Sequence, residues 1–386
     1  MPRALFGTHL AGSAGKPLPP RAGAIRLWDA GVTWRELEPK RGRINWAPLD
    51  AAVAAAERTG AQDIMWVHGS TPKWAAKDPT AAGLYGPGTS SPPEAKAYLS
   101  FLRAIAQRYQ GRITSYQVWN EANLNIFYRG SAESMAELTR RAKEVLRKAD
   151  PDAELVGAST TIRRKGPVKA WYGEYADALA ERDWPVDAMA IHLYPKADEG
   201  VGTRAAYARL MKDWLTERGW RGPIWDTEVN YGDRRDFAEV KVLVPQARAA
   251  AWVARTYLDS LALGIERVYW YSWSDHLLGV DQVDAETGEV LPAGRAFLTV
   301  QEWLDGAFWQ GCHGELVNPT GRKAAVTRCD IALSDGTAGR ILFSHGGTAA
   351  VKPPDGAKSV CGVDGSCRAL PAGKLAVGAS PVLVRS

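Results

Sequence analysis

The chain has 386 residues, 46% of them hydrophobic and 24% charged, with a net charge of +5. That length can build a large core and a smaller second domain, and the composition is that of an ordinary globular chain rather than a disordered or fibrous one. Lys and Arg alternate with Asp and Glu, as in "LTRRAKEVLRKAD". The small positive balance therefore describes solvated helix faces and gives no basic patch for nucleic acid.

In chain order, short apolar runs alternate with amphipathic stretches as far as residue 305. The runs are "LFGTHL" (5–10), "AIRLWD" (24–29), "DIMWVHG" (63–69), "SYQVWNE" (115–121), "AELVGAS" (153–159), "VDAMAIHLY" (186–194), "PIWDTEV" (223–229) and "RVYWYSW" (267–273). Near-continuous apolarity is expected of parallel strands buried on both faces. Helical periodicity lies between them, near 47–59, 94–109, 132–149, 168–182, 203–218, 244–263 and 293–304. "SPPEAKAYLSFLRAIAQRY" shows a helix start, with Ser91 and two prolines leading in and Glu94 in the first turn. The gap "AGSAGKPLPPRAG" between the first two strands is too rich in Gly and Pro for a helix. Eight strands with seven helices predict an α/β fold, a (β/α)8 TIM barrel over residues 1–305. A doubly wound sheet is the alternative, but no GxGxxG or Walker motif supports it.

Beyond the barrel the pattern changes. "KAAVTRCDIALSDGTAGRILFSHGGTAAVK" alternates apolar and polar residues, with turn signals at "SDGT" and "HGGT". Residues 306–386 read as a small C-terminal β-sandwich domain. All four cysteines (Cys312, Cys329, Cys361, Cys367) fall there. Four cysteines allow three pairings, among which the sequence does not decide; the nearest-neighbour scheme, Cys312 with Cys329 and Cys361 with Cys367, would staple two loops of a small domain and favours an oxidising compartment. A zinc site would want CxxC spacing, whereas "CGVDGSC" has five intervening residues. No run approaches the length of a membrane span. "MPRALFGTHLAG" lacks the apolar region of a signal peptide. Together with the cysteines, this gives the expectation of a secreted or cell-surface protein whose signal is absent from the sequence. Nothing in the sequence fixes an oligomeric state.

In such a barrel the chemistry sits at the C-terminal ends of the strands. Read in order, those ends carry Arg26 and Trp28, then His68, then Asn120 and Glu121, then His192 and Tyr194, then Glu228, then Trp273. Strands four and seven face each other across the mouth, so Glu121 and Glu228 can flank a substrate. Two carboxyl groups about 5–5.5 Å apart suit retaining glycoside hydrolysis, and about 6.5–9.5 Å suits inversion. Asp226, two residues before Glu228 and read as lying on the same strand face, is the rival for the inward carboxylate; as a buried group it would need partners of its own. Sixteen Trp against seven Phe fits stacking on sugar faces, although core packing explains any single one.

"VWNEANL" followed by "WDTEVNYG" resembles the clan A glycoside hydrolases, most closely family 39 and its extracellular-polysaccharide hydrolase relatives. "VTWRELEPKRGRINWAPLD", "GSTPKWA" and "VDAETGEVLPAGRAF" resemble the clan's segments after strands two, three and eight. The resemblance implies that Glu121 is the general acid/base and Glu228 the nucleophile. It implies that Asn120 bonds the sugar hydroxyl beside the anomeric carbon, that Arg26 and Tyr194 aim and ionise the nucleophile, that His192 sits beside them, and that Trp273 is a sugar platform. Many relatives have Pro after the acid/base, where this chain has Ala122.

Trp28 and His68 complete the expected substrate-binding set, with a structural histidine as the competing reading of His68. A guanidinium should lower the nucleophile's pKa and a dry setting should raise the acid's. The six histidines are scattered without HExxH or facial-triad spacing, and no GxSxG elbow occurs, so neither metal nor cofactor is expected. The expected partner is a poly- or oligosaccharide, a pentoside such as a xyloside or arabinoside, or a bacterial exopolysaccharide. A transglycosylase on the same glycan and a non-catalytic glycan-binding barrel are the alternatives. The loops at 71–93 and after strand seven are expected to wall the cleft and to set specificity; Arg234 and Arg235 in the second read first as solvated surface arginines, with contact to an acidic glycan as the alternative.

Overall fold

The computed structural model describes residues 3–12, 17–163, 168–235, 241–274, 276–314 and 325–386. Its centre is an eight-stranded, all-parallel sheet: β1 (Phe6–Leu10), β2 (Ala24–Leu27), β3 (Asp63–Val67), β4 (Ser115–Gln117), β5 (Glu154–Val156), β6 (Met189–His192), β7 (Ile224–Val229) and β8 (Arg267–Trp270). β1 pairs with both β2 and β8. The seam between β5 and β6 closes through the parallel bridge Val156–Ala188 and the bonds Asp187 N to Leu155 O, 2.8 Å, and Gly157 N to Ala188 O, 2.9 Å. The sheet is thus a barrel, with all eight expected strands in place.

The barrel interior alternates small and large side chains. Ala24, Ala188 and Ala190 leave room for Met65, Trp225 and Tyr269. Gly7 is required by the same packing, since a Cβ there would stand 2.7 Å from the Tyr269 ring. The Tyr269 hydroxyl donates to the buried Asp63 carboxylate, which also accepts from Ser115 at 2.8 Å.

Helices cover the outside: α1 (Trp34–Leu37), α2 (Ala47–Arg58), α3 (Ala95–Arg108), α4 (Ala132–Ala149), α5 (Gly173–Ala180, entered by a π-helical turn), α6 (Val201–Glu217), α7 (Gln246–Leu263) and α8 (Pro292–Leu304). They form where apolar residues recur on one face. In α4 the buried stripe is Met135, Leu138, Ala142, Val145 and Leu146, and Ser131 Oγ caps the start by accepting from Ser134 N. α7 ends at Gly264, whose φ of 74° suits a residue without a Cβ. No helix occupies the described residues between β1 and β2, as their Gly and Pro content predicts. The single turn α1 is an addition to the expected set. It is nucleated by a capping box in which the Glu36 carboxylate accepts from Thr33 N, 3.0 Å, and Thr33 Oγ1, 2.6 Å.

The C-terminal region is antiparallel. Six strands, β9 (Phe308–His313), β10 (Val326–Ala332), β11 (Ala338–Ser344), β13 (Ser359–Gly362), β14 (Cys367–Ala369) and β16 (Val382–Arg385), form one sheet in the order β14-β13-β16-β11-β10-β9. β12 (Ala349–Val351) and β15 (Leu375–Val377) form a second sheet. Leu342, Val360 and Val384 of the first meet Val351, Leu375 and Val377 of the second in one apolar layer. Cys329, Ile331, Ile341 and Phe343 join the barrel's core instead, with Arg255 of α7 lying over the Phe343 ring. The start of the alternating stretch, residues 323–324, lies outside the described residues. Among the described residues no helix is long and apolar enough to cross a membrane.

Both disulfides follow the nearest-neighbour scheme and join cross-strand partners in register: Cys312–Cys329 between β9 and β10, and Cys361–Cys367 between β13 and β14. They close loops of very different length, 17 and 6 residues. Loop-closure entropy then predicts that replacing both cysteines of the first pair by Ser costs about 3 kcal/mol and of the second about 2 kcal/mol. Urea denaturation of the two double variants measures this, and the reverse order would exclude loop entropy as the source.

Candidate active site

Arg26 is the centre of the barrel mouth. It projects from β2 into the interior and is fully buried. Its Nε donates to Gln117 Oε1 at 2.8 Å, Nη2 to Asn120 Oδ1 at 2.8 Å and Nη1 to Glu228 Oε1 at 2.7 Å. One side chain thereby ties the ends of β2, β4 and β7. Because Arg26 can only donate, Asn120 must turn its oxygen inward, which leaves the Asn120 amide NH2 for the cleft.

Glu228 reaches the mouth because β7 is irregular. Ile191 of β6 stands opposite Asp226 and the next residue, His192, opposite Glu228, so β7 carries one extra residue at Thr227. The bulge re-aims the chain. Asp226 turns out to Arg204 of α6, which donates from Nη2 at 2.6 Å and from Nε at 3.1 Å, and it also accepts from Leu193 N. The expectation that Asp226 and Glu228 share a face is therefore corrected: a two-residue spacing ceases to mean one face across a bulge. The displaced Thr227 carbonyl accepts from His9 Nε2 at 2.9 Å.

Glu121 lies across the mouth from Glu228. Its φ of 39° is in the left-handed region, a strained setting for a side chain of this kind. Two backbone bonds to the segment after β5 hold it there, Glu121 N to Ser159 Oγ at 2.9 Å and Ala122 N to Ser159 O at 3.0 Å. The second explains Ala122 in place of Pro, since a proline has no N–H to donate.

His192 Nδ1 bridges the pair, 3.0 Å from Glu121 Oε1 and 3.3 Å from Glu228 Oε2. Tyr194 donates its hydroxyl to Glu228 Oε2 at 3.0 Å. One oxygen of each carboxylate and a His192 nitrogen all lie within 4.8 Å of one another. Such a triad has the donors for a cation, but Arg26 sets a fixed positive charge against the same Glu228 carboxylate.

Burial pushes Glu121 up to about 7, against the pull of Arg26 and Arg235. Burial also raises Glu228, and outweighs the downward pull of His192 and Arg26. The expected lowering of Glu228 by a guanidinium is thus present but is not the net result. Burial holds His192 down at about 3, so its ring is neutral. With Arg26 and Tyr194 both donating to Glu228, the pair's negative charge settles there and the proton on Glu121.

Arg26, Asn120, Glu121, His192, Tyr194 and Glu228 come together as expected residues of one cluster. Trp28 lines an aromatic pocket beside it with Tyr85, Phe127 and Ser70. Two expected residues do not reach the cleft. His68 faces α3 from behind the barrel, stacked on Tyr98 at 3.6 Å among Trp34, Trp66 and Phe101. Trp273 is buried against Phe297 of α8, and Tyr271 stands on the cleft side instead, with its hydroxyl on Asp29. Gln117, Asp29, Tyr85 and Tyr271 are additions. Gln117 and Asp29 were visible as polar residues inside or ending apolar strands, whereas Tyr85 lies in a long loop without a pattern. Arg234 pairs with Asp281 at 2.6 Å, and Arg235 and Arg163 both bind Asp233, at 2.6 and 2.9 Å. Residues 236–240 of that loop lie outside the described residues.

The sequence profile of Glycosyl hydrolase family 10 matches residues 29–213. Endo-1,4-beta-xylanase 1 of Gibberella zeae is 28% identical over 136 residues, 32% of this chain and 34% of that protein. Endo-1,4-beta-xylanase A of Fusarium oxysporum is 31% identical over 96 residues, 24% of this chain and 26% of that protein. The chain spans about a third or less of the length of these curated relatives. Among solved structures, a family 39 glycoside hydrolase from Bacteroides cellulosilyticus superposes with a TM-score of 0.68 at 17% identity, covering 94% of this chain and 75% of that one. A monomeric beta-xylosidase from Caulobacter crescentus gives 0.62 at 13% identity, covering 99% and 96%. The fold is the (β/α)8 barrel of the clan A glycoside hydrolases.

Two outcomes follow for the free protein. Arg26→Met strands a buried carboxylate without its counter-charge and should cost about 3–5 kcal/mol in urea unfolding at pH 7. Glu121 has a folded value near 7, above its ordinary 4.5. Its stabilising contribution is complete below pH 4.5 and is lost as pH rises through 7. Glu121→Gln, which stays neutral, should therefore be more stable than wild type at pH 8, by about 1–3 kcal/mol, and gain nothing at pH 4. Paired melts at the two pH values check the sign.

Proposed function

We propose that this chain, built on the clan A glycoside hydrolase barrel, is a retaining glycosidase that acts on a xylan-type poly- or oligosaccharide. The observation that carries the reading is the pair Glu121 and Glu228, with one oxygen of each carboxylate within 4.8 Å of the other across the mouth. So close an approach favours direct attack by a carboxylate over the wider separation that inversion through a water uses.

In the first step Glu228 attacks the anomeric carbon while Glu121 gives its proton to the departing oxygen. Arg26 and Tyr194 hold one Glu228 oxygen each, so the attacking group is aimed and carries the charge. In the second step Glu121, now ionised, takes a proton from water, which releases the sugar from Glu228. A carboxyl near 7 can serve as acid and then as base at neutral pH. The Asn120 amide NH2 is directed to the hydroxyl beside the anomeric carbon. Neutral His192 bridges both carboxylates and passes no net charge into the site.

The xylan-type substrate rests on the similarity to two fungal endo-1,4-beta-xylanases and to the beta-xylosidase neighbour. Two disulfides support a secreted location. The raised Glu121 favours hydrolysis over a purely binding barrel, because sugar binding alone needs no carboxyl held at neutral pH.

Glu121→Ala and Glu228→Ala should each lower kcat/KM on xylo-oligosaccharides by about 100-fold or more; Glu121→Ala should do so with its fold intact, whereas Glu228→Ala should also lower the thermal midpoint because it leaves buried Arg26 without its counter-charge. Azide should restore turnover to Glu121→Ala with a good leaving group, because a small anion replaces the activated water. NMR of the first-formed anomer should show retention. An inverted product would remove the nucleophile role from Glu228.

A further inference from the structure

The described residues hold a bridge of three side chains at the mouth that the two-step reaction does not use. Asp29 follows β2 and is half-buried. Its Oδ1 accepts from the Tyr85 hydroxyl at 2.6 Å, and its Oδ2 from the Tyr271 hydroxyl at 2.8 Å. The bridge joins the loop after β3, the end of β2 and the end of β8.

Each phenol is itself fixed. The Tyr85 ring stands edge-on to Trp28 at 5.8 Å and tilts against Phe127 at 6.2 Å. Its loop is tied to the next one by Leu84 N to Ile126 O, 3.0 Å, and Arg129 N to Ser90 O, 2.8 Å. Tyr271 lies on the His9 ring at 4.8 Å and packs with Tyr194. Burial and the adjacent Asp29 push the Tyr85 phenol up, so it remains a donor.

The distance of this wall from the chemistry is short. Tyr194 touches Glu228 with its hydroxyl and Tyr271 with its ring, and Tyr271 touches Asp29. Asp29 is near enough to Glu228 for its charge to raise that carboxyl. On the other side Arg235 and Arg163, held by Asp233, draw the Glu121 carboxyl down. The acid protonates the leaving group, so the Asp233 side receives the leaving group and the Asp29 side receives the sugar that is transferred. A carboxylate has about four acceptor positions and no donor. It suits sugar hydroxyls and repels a sugar bearing its own carboxylate.

We propose that Asp29, fixed between Tyr85 and Tyr271, closes the site one sugar beyond the nucleophile and accepts hydroxyls of a terminal neutral sugar, so that the protein trims glycans from the non-reducing end. This rests on the glycosidase reading above and adds its mode of action and a specificity-determining residue. Buried Trp28 backs the Tyr85 ring and so helps to hold the bridge in place.

The test follows digestion of reducing-end-labelled xylopentaose, with labelled arabino-, manno- and gluco-pentaoses beside it, by wild type, Asp29→Ala, Asp29→Asn and Tyr85→Phe. Wild type should shorten one pentaose stepwise, with labelled tetraose first and triose next. Asp29→Ala should lose about 100-fold in kcat/KM for single-sugar release and Asp29→Asn about 10-fold. Both should yield short labelled products early, a change of product pattern that a merely weakened fold does not give. Should Asp29→Ala not fold, Asp29→Asn and Tyr85→Phe carry the comparison. Early labelled mono- or disaccharide from wild type would overturn the proposal while leaving the hydrolase reading intact. Stepwise release at wild-type kcat/KM by the variants would overturn the role of Asp29. Failure of wild type to cleave any pentaose would overturn the hydrolase reading, and this proposal with it.

Discussion

A guanidinium with no access to water sets the terms for this barrel. Arg26 is fully buried, and an unpaired buried charge is costly enough that its surroundings must be built to meet it. The match is one carboxylate and two neutral acceptors, Glu228, Asn120 and Gln117. Their positions follow from the fork geometry of the donor, which fixes directions as well as distances. Orientation of the Asn120 amide, ionisation of Glu228 and the spacing between β2, β4 and β7 therefore have one cause. The paired charge also separates two chemically identical glutamates. Glu228 touches the guanidinium, and Glu121 does not, so a shared burial leaves the proton on Glu121.

The two glutamates sit where local backbone rules are broken. Glu121 adopts a left-handed φ, and Glu228 follows a bulge. Each departure places a carboxyl that a regular strand would have aimed elsewhere. Each is held by bonds made nearby: the Ser159 hydroxyl and carbonyl at Glu121, and the Thr227 carbonyl to His9 at the bulge. Strain of about 1–3 kcal/mol at one residue is tolerable only in a rigid frame. The frame here is the filled barrel interior of Met65, Trp225 and Tyr269.

These departures also explain what the sequence could and could not disclose. The eight strands are legible because burial on both faces makes them near-continuously apolar, and the seven expected helices because burial of one face imposes a period; α4 matches its expected bounds residue for residue. The recurrent residues after β2 and β3 are legible as a motif, and their work is bracing. Glu38 accepts from Trp34 Nε1 at 2.9 Å and Gly42 N at 2.7 Å, while its carbonyl accepts from Trp74 Nε1 at 2.8 Å. Facing was not legible. His68 and His192 both follow apolar runs, yet one turns to α3 and the other into the mouth: His192 stands two residues after inward Ala190 and His68 three after inward Met65, so strand alternation sends them opposite ways. Only the shared face read for Asp226 and Glu228 failed, because a bulge leaves no mark in composition; Glu228 does stand at the mouth and Asp226 is a buried, paired group. Trp273 had the stronger aromatic signal, and Tyr271 has the position.

The mouth is also electrically lopsided, and on the glycosidase reading proposed above that asymmetry bears on rate as well as on choice of sugar. Arg163 and Arg235, both bound to Asp233, pull the Glu121 carboxyl down from one side. Asp29 pushes the Glu228 carboxyl up from the opposite side, while Arg26 balances Glu228 itself. When a glycosidic bond breaks, positive charge grows on the sugar ring and negative charge on the departing oxygen. A field already oriented along that displacement lowers the barrier without reorganising at the moment of reaction, and it acts most strongly where water is excluded. The burial that raises Glu121 to about 7 is what keeps the local dielectric low. Proton placement and charge stabilisation thus draw on one property of the site, and opening the Asp29 side to solvent would weaken both at once.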